Sequence, residues 1–151
     1  MVTERSTPAY RLRPATEADR EAMMALAHEG LRPHIEALRP WNDEEEQAGF
    51  VAHFEPRAIQ IIQVEHRDVG YFKLVNHGSH RFLEGIYLAS SVRNRGLGTA
   101  VLKALMAENT ALRLRVLHTN PARALYRRLG FRLLKSAEQS DTLEFRPGAA
   151  P

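Results

Sequence analysis

Two arginines and two glycines lie close together near the middle of the chain, directly after an apolar segment. Arg93 and Arg95 precede Gly96 and Gly98, and the residues that follow have the apolar spacing of a helix. The first N–H groups of a helix have no partner within it, and the helix dipole adds positive charge there. Glycines let a ligand approach the backbone closely, and the arginines add full charges. This combination predicts an anion site suited to a pyrophosphate.

Two well-known phosphate-binding loops do not fit this turn. The dinucleotide fingerprint needs a third glycine, where this chain has Val101, and an acid about 20 residues further on, where the segment 112–117 is basic. The ATP-type loop needs Gly-Lys-Ser/Thr, but Gly98 is followed by Thr99. Neither loop is therefore predicted.

The elements that must hold this turn alternate between strands and helices. Short apolar, β-rich runs predict strands at 10–13, 58–64, 69–75, 82–88, 112–117, 131–134 and 142–145. Apolar spacing and capping residues predict helices at 16–29, 31–38, 43–55, 96–106 and 120–129. This order predicts one α/β domain over residues 1–151, with a mixed sheet of six to seven strands and helices on both faces.

Individual residues set the limits of the predicted helices. Gly30 is expected to end the first helix. Asn42 is expected to cap the third, whose first turn holds the acids at 43–46. The buried face of that third helix is expected to consist of Phe50, Val51 and Phe54.

Composition excludes several classes of function. The chain has no cysteine, so disulfides, zinc–thiolate sites and thiol nucleophiles are excluded, and we expect no metal site. Residues 1–8 hold no apolar run, so no signal peptide is expected, and no stretch approaches about 18 apolar residues. We therefore expect a cytoplasmic protein without membrane segments, with a frayed tail at 147–151.

Charge is distributed unevenly along the chain. Residues 81–135 hold 11 Lys or Arg against two Asp or Glu, a net charge of +9, whereas residues 1–80 carry −4. Such a segment favours an anionic partner, either nucleic acid or a polyphosphate cofactor. RNA binding would need exposed aromatic residues among the basic ones, and the few aromatic residues in this segment are expected to be buried. No nucleic acid is therefore expected.

Two motifs in this region resemble those of a known family. Arg93-x-x-Gly96-x-Gly98 resembles the acetyl-CoA signature of the GNAT superfamily of N-acetyltransferases. Downstream, the segment from Asn120 through Tyr126 to Gly130-Phe131 resembles that family's second signature, and a predicted strand separates the two. The match is detailed over residues 82–131 and extends by element pattern over 10–146.

The resemblance implies a sheet splayed open between the strands at 82–88 and 112–117, with acetyl-CoA as cosubstrate in the cleft. Backbone groups near Ile86 and Leu88 would bind the pantetheine like an added strand, and the turn at 93–99 would bind the pyrophosphate. The implied cofactor-binding residues are Ile86, Leu88, Arg93, Asn94, Arg95, Gly96, Leu97, Gly98, Thr99, Asn120 and Tyr126.

Catalytic roles follow from the resemblance and from residue chemistry, and each has a structural alternative. Tyr126 is the candidate acid that protonates the leaving thiolate, or else a core aromatic residue. Glu84 is the candidate base, because burial in an apolar strand would raise its pKa; otherwise it reaches solvent. Asn120 contacts the cofactor, caps a helix, or does both. His118 is a rival base.

The family's variable first helices line its acceptor site, which here corresponds to residues 31–41. The candidate substrate contacts are His34, Glu36 and Trp41, together with Glu84; Trp41 is equally well explained as a core residue. The acids at 43–46 favour a cationic acceptor. The family often has proline where this chain has Ser90, which loosens the turn.

The resulting hypothesis is an N-acetyltransferase that moves the acetyl group of acetyl-CoA to a primary amine by direct attack. The amine belongs to a small molecule or a protein, and the enzyme is a monomer or homodimer. The alternative is a non-catalytic domain that binds or senses acyl-CoA. Replacement of Glu84 or Tyr126 would separate these hypotheses, because it should lower turnover and leave binding intact.

Overall fold

A computed structural model describes residues 7–148 as one seven-stranded sheet and its helices. The predictions for residues 1–6 and for the tail at 149–151 lie outside the described residues. The strands are β1 Arg11–Pro14, β2 Ile59–Val64, β3 Arg67–Asn76, β4 His80–Leu88, β5 Ala111–Leu117, β6 Arg132–Ser136 and β7 Ser140–Phe145. The helices are α1 Arg20–Glu36, α2 Asp43–Ala52, α3 Leu97–Met106 and α4 Ala122–Leu129.

The sheet has the order β1-β2-β3-β4-β5-β7-β6. Only β4 and β5 are parallel neighbours, and α3 forms the crossover between them. This confirms the predicted mixed α/β fold with seven strands. Within residues 7–148, no helix is both long and apolar enough to cross a membrane.

Helices cover both faces of the sheet, as predicted. Ile61 and Ile62 are neighbours on β2 and are both fully buried, yet they belong to different core clusters because strand side chains alternate between faces. Ile61 packs in the cluster that contains Met23 and Ala27 of α1. Ile62 packs in the larger cluster, which contains buried residues of α3 and β5 together with Leu143 of β7.

The first helix differs from the prediction, because Gly30 does not end it. α1 continues through Gly30 and Pro33 to Glu36, so the two predicted helices are one. A Cβ at position 30 would lie 3.2 Å from Cδ1 of Tyr87. The glycine therefore allows α1 to pack closely on β4, and the proline is tolerated in the last turn.

The prediction for α2 is correct at its start and partly wrong for its buried face. Oδ1 of Asn42 accepts a hydrogen bond from the backbone N–H of Glu45, which confirms the predicted cap. Phe50 and Phe54 pack against the α1 cluster. Val51 is 46% exposed, so its assignment to the core was wrong, because α2 packs one narrow stripe on α1.

The centre of the sheet splits, as the predicted fold requires. β4 and β5 pair over only four residue pairs, from His80 and Ala111 to Leu83 and Leu114. β4 nevertheless remains paired with β3 as far as Leu88. We call the point after Leu83 and Leu114, where the strands diverge, the fork.

The two ends of α3 fix its position beside the fork. Gly96 precedes the helix with φ of +79°, a left-handed conformation that favours glycine. At the other end, the buried guanidinium of Arg81 donates hydrogen bonds to the carbonyl oxygens of Leu105 (2.7 Å) and Thr110 (2.6 Å). The bond to Leu105 satisfies a carbonyl of the last helical turn, and the bond to Thr110 ties the end of α3 to the chain that enters β5.

Candidate active site

A cleft of about 1300 Å³ opens from the fork between α1, α3 and α4. It exceeds the usual range for sites that hold one small ligand, about 300–1000 Å³. Predicted site residues from several elements meet in its lining: His34, Glu84, Ile86, Leu88, Arg93, Asn94, Gly96, Leu97, Gly98, Thr99, Asn120 and Tyr126. Four residues named as candidates do not line it: Arg95, Glu36, Trp41 and the rival base His118.

The glycine-containing turn places at the cleft backbone donors that have no partner within the helix. Asn94 and Gly96 have φ of +62° and +79°, so the chain turns sharply before α3. The N–H of Ala100 donates to the carbonyl oxygen of Gly96 at 2.9 Å and closes the first turn. The N–H groups of residues 97–99 therefore have no partner within the helix, and the helix dipole favours an anion beside them.

Arg93 spans the cleft at the end of β4. Its Nε donates to the carbonyl oxygen of Leu88 at 2.9 Å, and its guanidinium lies 3.4 Å from a carboxylate oxygen of Glu29 in α1. The arginine thus links the turn at 93–99 to the end of β4 and to α1. Ser90, where the family often has proline, lies in a short 3-10 turn that forms without one.

The second half of β4 turns backbone groups towards the cleft. The N–H of Ala89 donates to Val69 of β3, so the backbone groups of Leu88 and Ile86 point to the other side, because strand residues alternate. Beyond the fork, no residue of β5 pairs with them. A ligand that enters the fork can bond to both residues as an added strand.

Tyr126, in the middle of α4, and Asn120, which precedes the helix, both line the cleft. Tyr126 is half-buried with its ring against Phe131, and burial raises the pKa of its phenol. The phenol therefore stays protonated at neutral pH. The helix begins at Ala122 with Pro121 at the cap position, so the prediction of Asn120 as the cap was wrong by one residue, although Oδ1 of Asn120 accepts a hydrogen bond from the N–H of Ala122 at 2.9 Å.

Glu84 occupies a β-bulge at the fork. Lys73 faces Gly85 and Leu74 faces Leu83, so Glu84 is the extra residue of β4 that has no partner in β3. Bulges re-aim side chains and are frequent beside active sites. The sequence motifs contain no sign of this bulge.

The expected burial of Glu84 was wrong. The side chain is 43% exposed, and one carboxylate oxygen lies 2.7 Å from Nζ of Lys73. Lys73 also pairs with Glu55 at 3.0 Å and donates to the carbonyl oxygen of His53. Burial disfavours the charged form of Lys73, but its bonds to Glu84 and Glu55 outweigh this effect and raise its pKa. The lysine comes from the neighbouring strand and therefore could not be paired with Glu84 from the sequence.

His118, the rival base, lies outside the main cleft. Its Nε2 lies 2.8 Å from Oδ1 of the buried Asp141, which also accepts hydrogen bonds from Ser136 and Arg123. These bonds, that of Ser136 foremost and then those of His118 and Arg123, lower the pKa of Asp141 to about 2. These hydrogen bonds hold the ends of β5, α4, β6 and β7 together.

Of the three predicted substrate contacts of the first helical region, only His34 lines the cleft, and Glu36 instead pairs with Arg32 at 3.1 Å. His34 lines the cleft, and its carbonyl oxygen accepts a hydrogen bond from Thr119 at 2.9 Å. Trp41 lies between α1 and α2, where its Nε1 donates to Asp43 and Arg32 lies over its ring. Trp41 therefore stabilises the junction of the two helices.

Arg115 lines the cleft although neither motif contains it. It lies on β5 one residue beyond the fork, and its side chain is exposed. The alternation of side chains along β5 could have identified Arg115 from the sequence. Leu112, Leu114 and Val116 are buried in the α3 cluster, so the arginines between them face the opposite side of the sheet.

Comparison with known proteins agrees with this geometry. A family model described as an acetyltransferase (GNAT) domain matches residues 43–133. No curated protein sequence matches the chain. PaiA N-acetyltransferase from Thermoplasma acidophilum, solved in complex with coenzyme A, superposes with a TM-score of 0.72 at 14% identity, over 91% of this chain and 99% of that one.

Two further structures extend this comparison. YjaB from Escherichia coli, solved in its apo form, has a TM-score of 0.72 at 18% identity, over 94% of this chain and 99% of that one. A protein from Corynebacterium glutamicum, described as histone acetyltransferase HPA2 and related acetyltransferase, has a TM-score of 0.67 at 22% identity, over 95% and 98%. At these identities the likeness establishes the fold. Because the family model matches more than half of the residues, the chain belongs to the GNAT family of acetyltransferases.

Proposed function

We propose that this protein transfers the acetyl group of acetyl-CoA to a primary amine by direct attack of the amine on the thioester. The observation that carries the proposal is the fork. It leaves the backbone groups of Ile86 and Leu88 without strand partners, and β4 leads from there to the free N–H groups at the start of α3.

Acetyl-CoA fits this path from end to end. Its pantetheine carries amide groups that can bond to Ile86 and Leu88 as a strand would. Its pyrophosphate suits the N–H groups of residues 97–99, with Arg93 beside them and Arg95 outside the cleft lining. The net charge of +9 over residues 81–135 favours so anionic a molecule.

The reacting bonds lie between Tyr126 and Glu84 in this proposal. The amine nitrogen bonds to the acetyl carbonyl carbon, the carbon–sulfur bond breaks, and the electron pair leaves on sulfur. Tyr126 donates its phenolic proton to the sulfur. Glu84 accepts, directly or through water, the proton that the amine loses, and solvent returns a proton to Tyr126.

Glu84 suits the role of base by position rather than by burial. The bulge holds its carboxylate at the fork, and the ion pair with Lys73 orients it while 43% of the side chain stays exposed. We further propose that the chain acts as a single domain in the cytoplasm, as a monomer or homodimer.

Thermal unfolding with and without acetyl-CoA tests the cofactor site, with ATP as the comparison ligand. A ligand at 100 times its Kd adds about 2.7 kcal/mol of stability. For a domain of this size we expect Tm to rise by about 5–10 °C with acetyl-CoA and to stay constant with ATP. Thiol release with a panel of amines then measures turnover.

A pair of glycine variants makes the test specific. Gly98→Asp places a carboxylate at the start of α3 and should abolish the Tm shift. Gly49→Asp is the matched control, because position 49 lies in α2 with open space around it. No shift for the unmodified protein would refute the acetyl-CoA site. A shift without thiol release for any amine would favour the non-catalytic alternative.

A further inference from the structure

Two oppositely charged side chains flank the cleft at the fork. The β4–β5 register ends at Leu83 and Leu114, so Glu84 and Arg115 are the first residues beyond the last pair. Neighbours in a parallel register share a face of the sheet, so both side chains lie on the face opposite α3. The phosphate turn is at the far end of β4, about 13 Å beyond Glu84 at 3.3 Å per residue. Arg115 is therefore separate from the expected phosphate site.

Most other charges that line the cleft are already paired. Glu29 pairs with Arg93, and Glu84 pairs with Lys73. Arg39 pairs with Glu46 of α2 at 3.1 Å. Among residues 7–148, the guanidinium of Arg115 has neither an ion-pair nor a hydrogen-bond partner. It is thus an unneutralised cation beside the proposed reaction centre.

Two of the four acids that favoured a cationic acceptor are used elsewhere. The carboxylate of Asp43 accepts from Trp41, and Glu46 pairs with Arg39. None of the residues 43–46 lines the cleft. The charge that an acceptor meets at the fork is therefore the carboxylate of Glu84 on one side and the guanidinium of Arg115 on the other.

We propose that the acceptor is a small amine that carries a carboxylate close to its amino group, as amino acids do, and that Arg115 binds this carboxylate. The inference rests on the proposed acetyl transfer. A guanidinium forms two parallel hydrogen bonds with a carboxylate, which fixes the orientation of the acceptor. Its amino group then faces Glu84, the proposed base.

The test compares amino acids with their own carboxamides as acceptors, in which a neutral amide replaces the carboxylate and the side chain stays the same. Thiol release gives kcat and KM for each pair. The unmodified enzyme should prefer the acids by at least about tenfold. Arg115→Gln should lower kcat/KM for the acids by about 10- to 100-fold, mainly through KM, as expected for loss of a charged hydrogen bond. The amides should change less than about twofold.

Two further variants control for charge and shape. Arg115→Lys keeps the charge but not the paired donors, so it should recover part of the preference. Arg128→Gln removes one positive charge from an exposed position on α4 outside the cleft lining and should leave both substrate classes unchanged.

Several results would overturn the inference while leaving acetyl transfer intact. They are a preference for the amides, an equal loss for acids and amides in Arg115→Gln, or acetylation of peptide amino termini in place of free amino acids. If no amine is acetylated, the proposed transfer itself fails. Calorimetry with the same amino acids, in the presence of CoA, then tests whether Arg115 binds a carboxylate. Binding to the unmodified protein that is lost in Arg115→Gln would support the site. No binding to the unmodified protein would refute it.

Discussion

The phenol of Tyr126 faces the cleft on one side and the core on the other, where it packs against Phe131. Tyr126→Phe keeps this packing and removes the proton that we assign to the leaving sulfur. We expect kcat to fall by about 10²- to 10⁴-fold, with the Tm shift from acetyl-CoA unchanged. Because burial raises the pKa of this phenol above its usual value near 10, loss of its proton should not lower kcat between pH 7 and pH 9.

Tyr10→Phe is the matched control for this variant, since Tyr10 is partly buried against the same core cluster and does not line the cleft. It should leave kcat unchanged. A normal kcat in Tyr126→Phe would show that the tyrosine has no part in the mechanism and serves only as a core aromatic residue.

The sequence was sufficient to place residues in the fold where a local motif determines their conformation. The turn around Gly96 depends on contiguous residues, so the sequence was sufficient to locate it. Glu84 and Arg115 depend on neighbouring strands instead. The bulge that exposes Glu84 arises in the register with β3, and Arg115 matters only because β5 diverges from β4 after Leu114.

At the scale of elements, the hairpin between β2 and β3 has an unfavourable turn. Glu65 and His66 form its two-residue loop with φ of +51° and +65°, a left-handed conformation that costs ordinary residues about 1–2 kcal/mol each. Asn-Gly is the preferred pair in such turns. The double change Glu65→Asn and His66→Gly should therefore stabilise the protein by about 1 kcal/mol and raise Tm by about 2–4 °C.

Thermal unfolding measures this gain, with Glu65→Gln as the control that changes the charge but not the backbone preference. That control should leave Tm within a degree or so of the parent. An equal rise in the control would assign the effect to charge, and no rise in the double variant would show that the turn is not strained.

The helices illustrate what local signals leave open. A glycine followed closely by a proline usually marks the end of a helix, yet Gly30 and Pro33 both lie within α1. Contact with Tyr87, 57 residues further along the chain, explains the glycine. The order of the last two strands was equally open, because β6 is exposed throughout and β7, which is half-buried, takes the inner position beside β5.

For the molecule as a whole, the network around Asp141 predicts a specific sensitivity to acid. Its folded pKa is about 2, below the unfolded value near 3.8, so its stabilising contribution is complete above about pH 4 and disappears as the pH falls to about 2. Asp141→Asn should lower Tm at pH 7. The difference in Tm from the parent should then shrink between pH 4 and pH 2.

Glu138→Gln tests whether this effect belongs to the network, since Glu138 is an exposed carboxylate in the adjacent turn. Its melting curves should run parallel to those of the parent across the acid range. A constant difference between Asp141→Asn and the parent down to pH 2 would contradict the assigned pKa.

The short pairing between β4 and β5 also has a mechanical consequence. β1–β4 and β5–β7 meet through four residue pairs, whereas β3 and β4 share seven, so the two halves of the sheet are joined along a short, compliant line. A pantetheine chain that is hydrogen-bonded along the fork would stiffen the sheet across that line for as long as it stays bound. The loaded enzyme would then be stiff, with its reacting groups held in register, and departure of the product would restore the flexibility that admits the next cosubstrate.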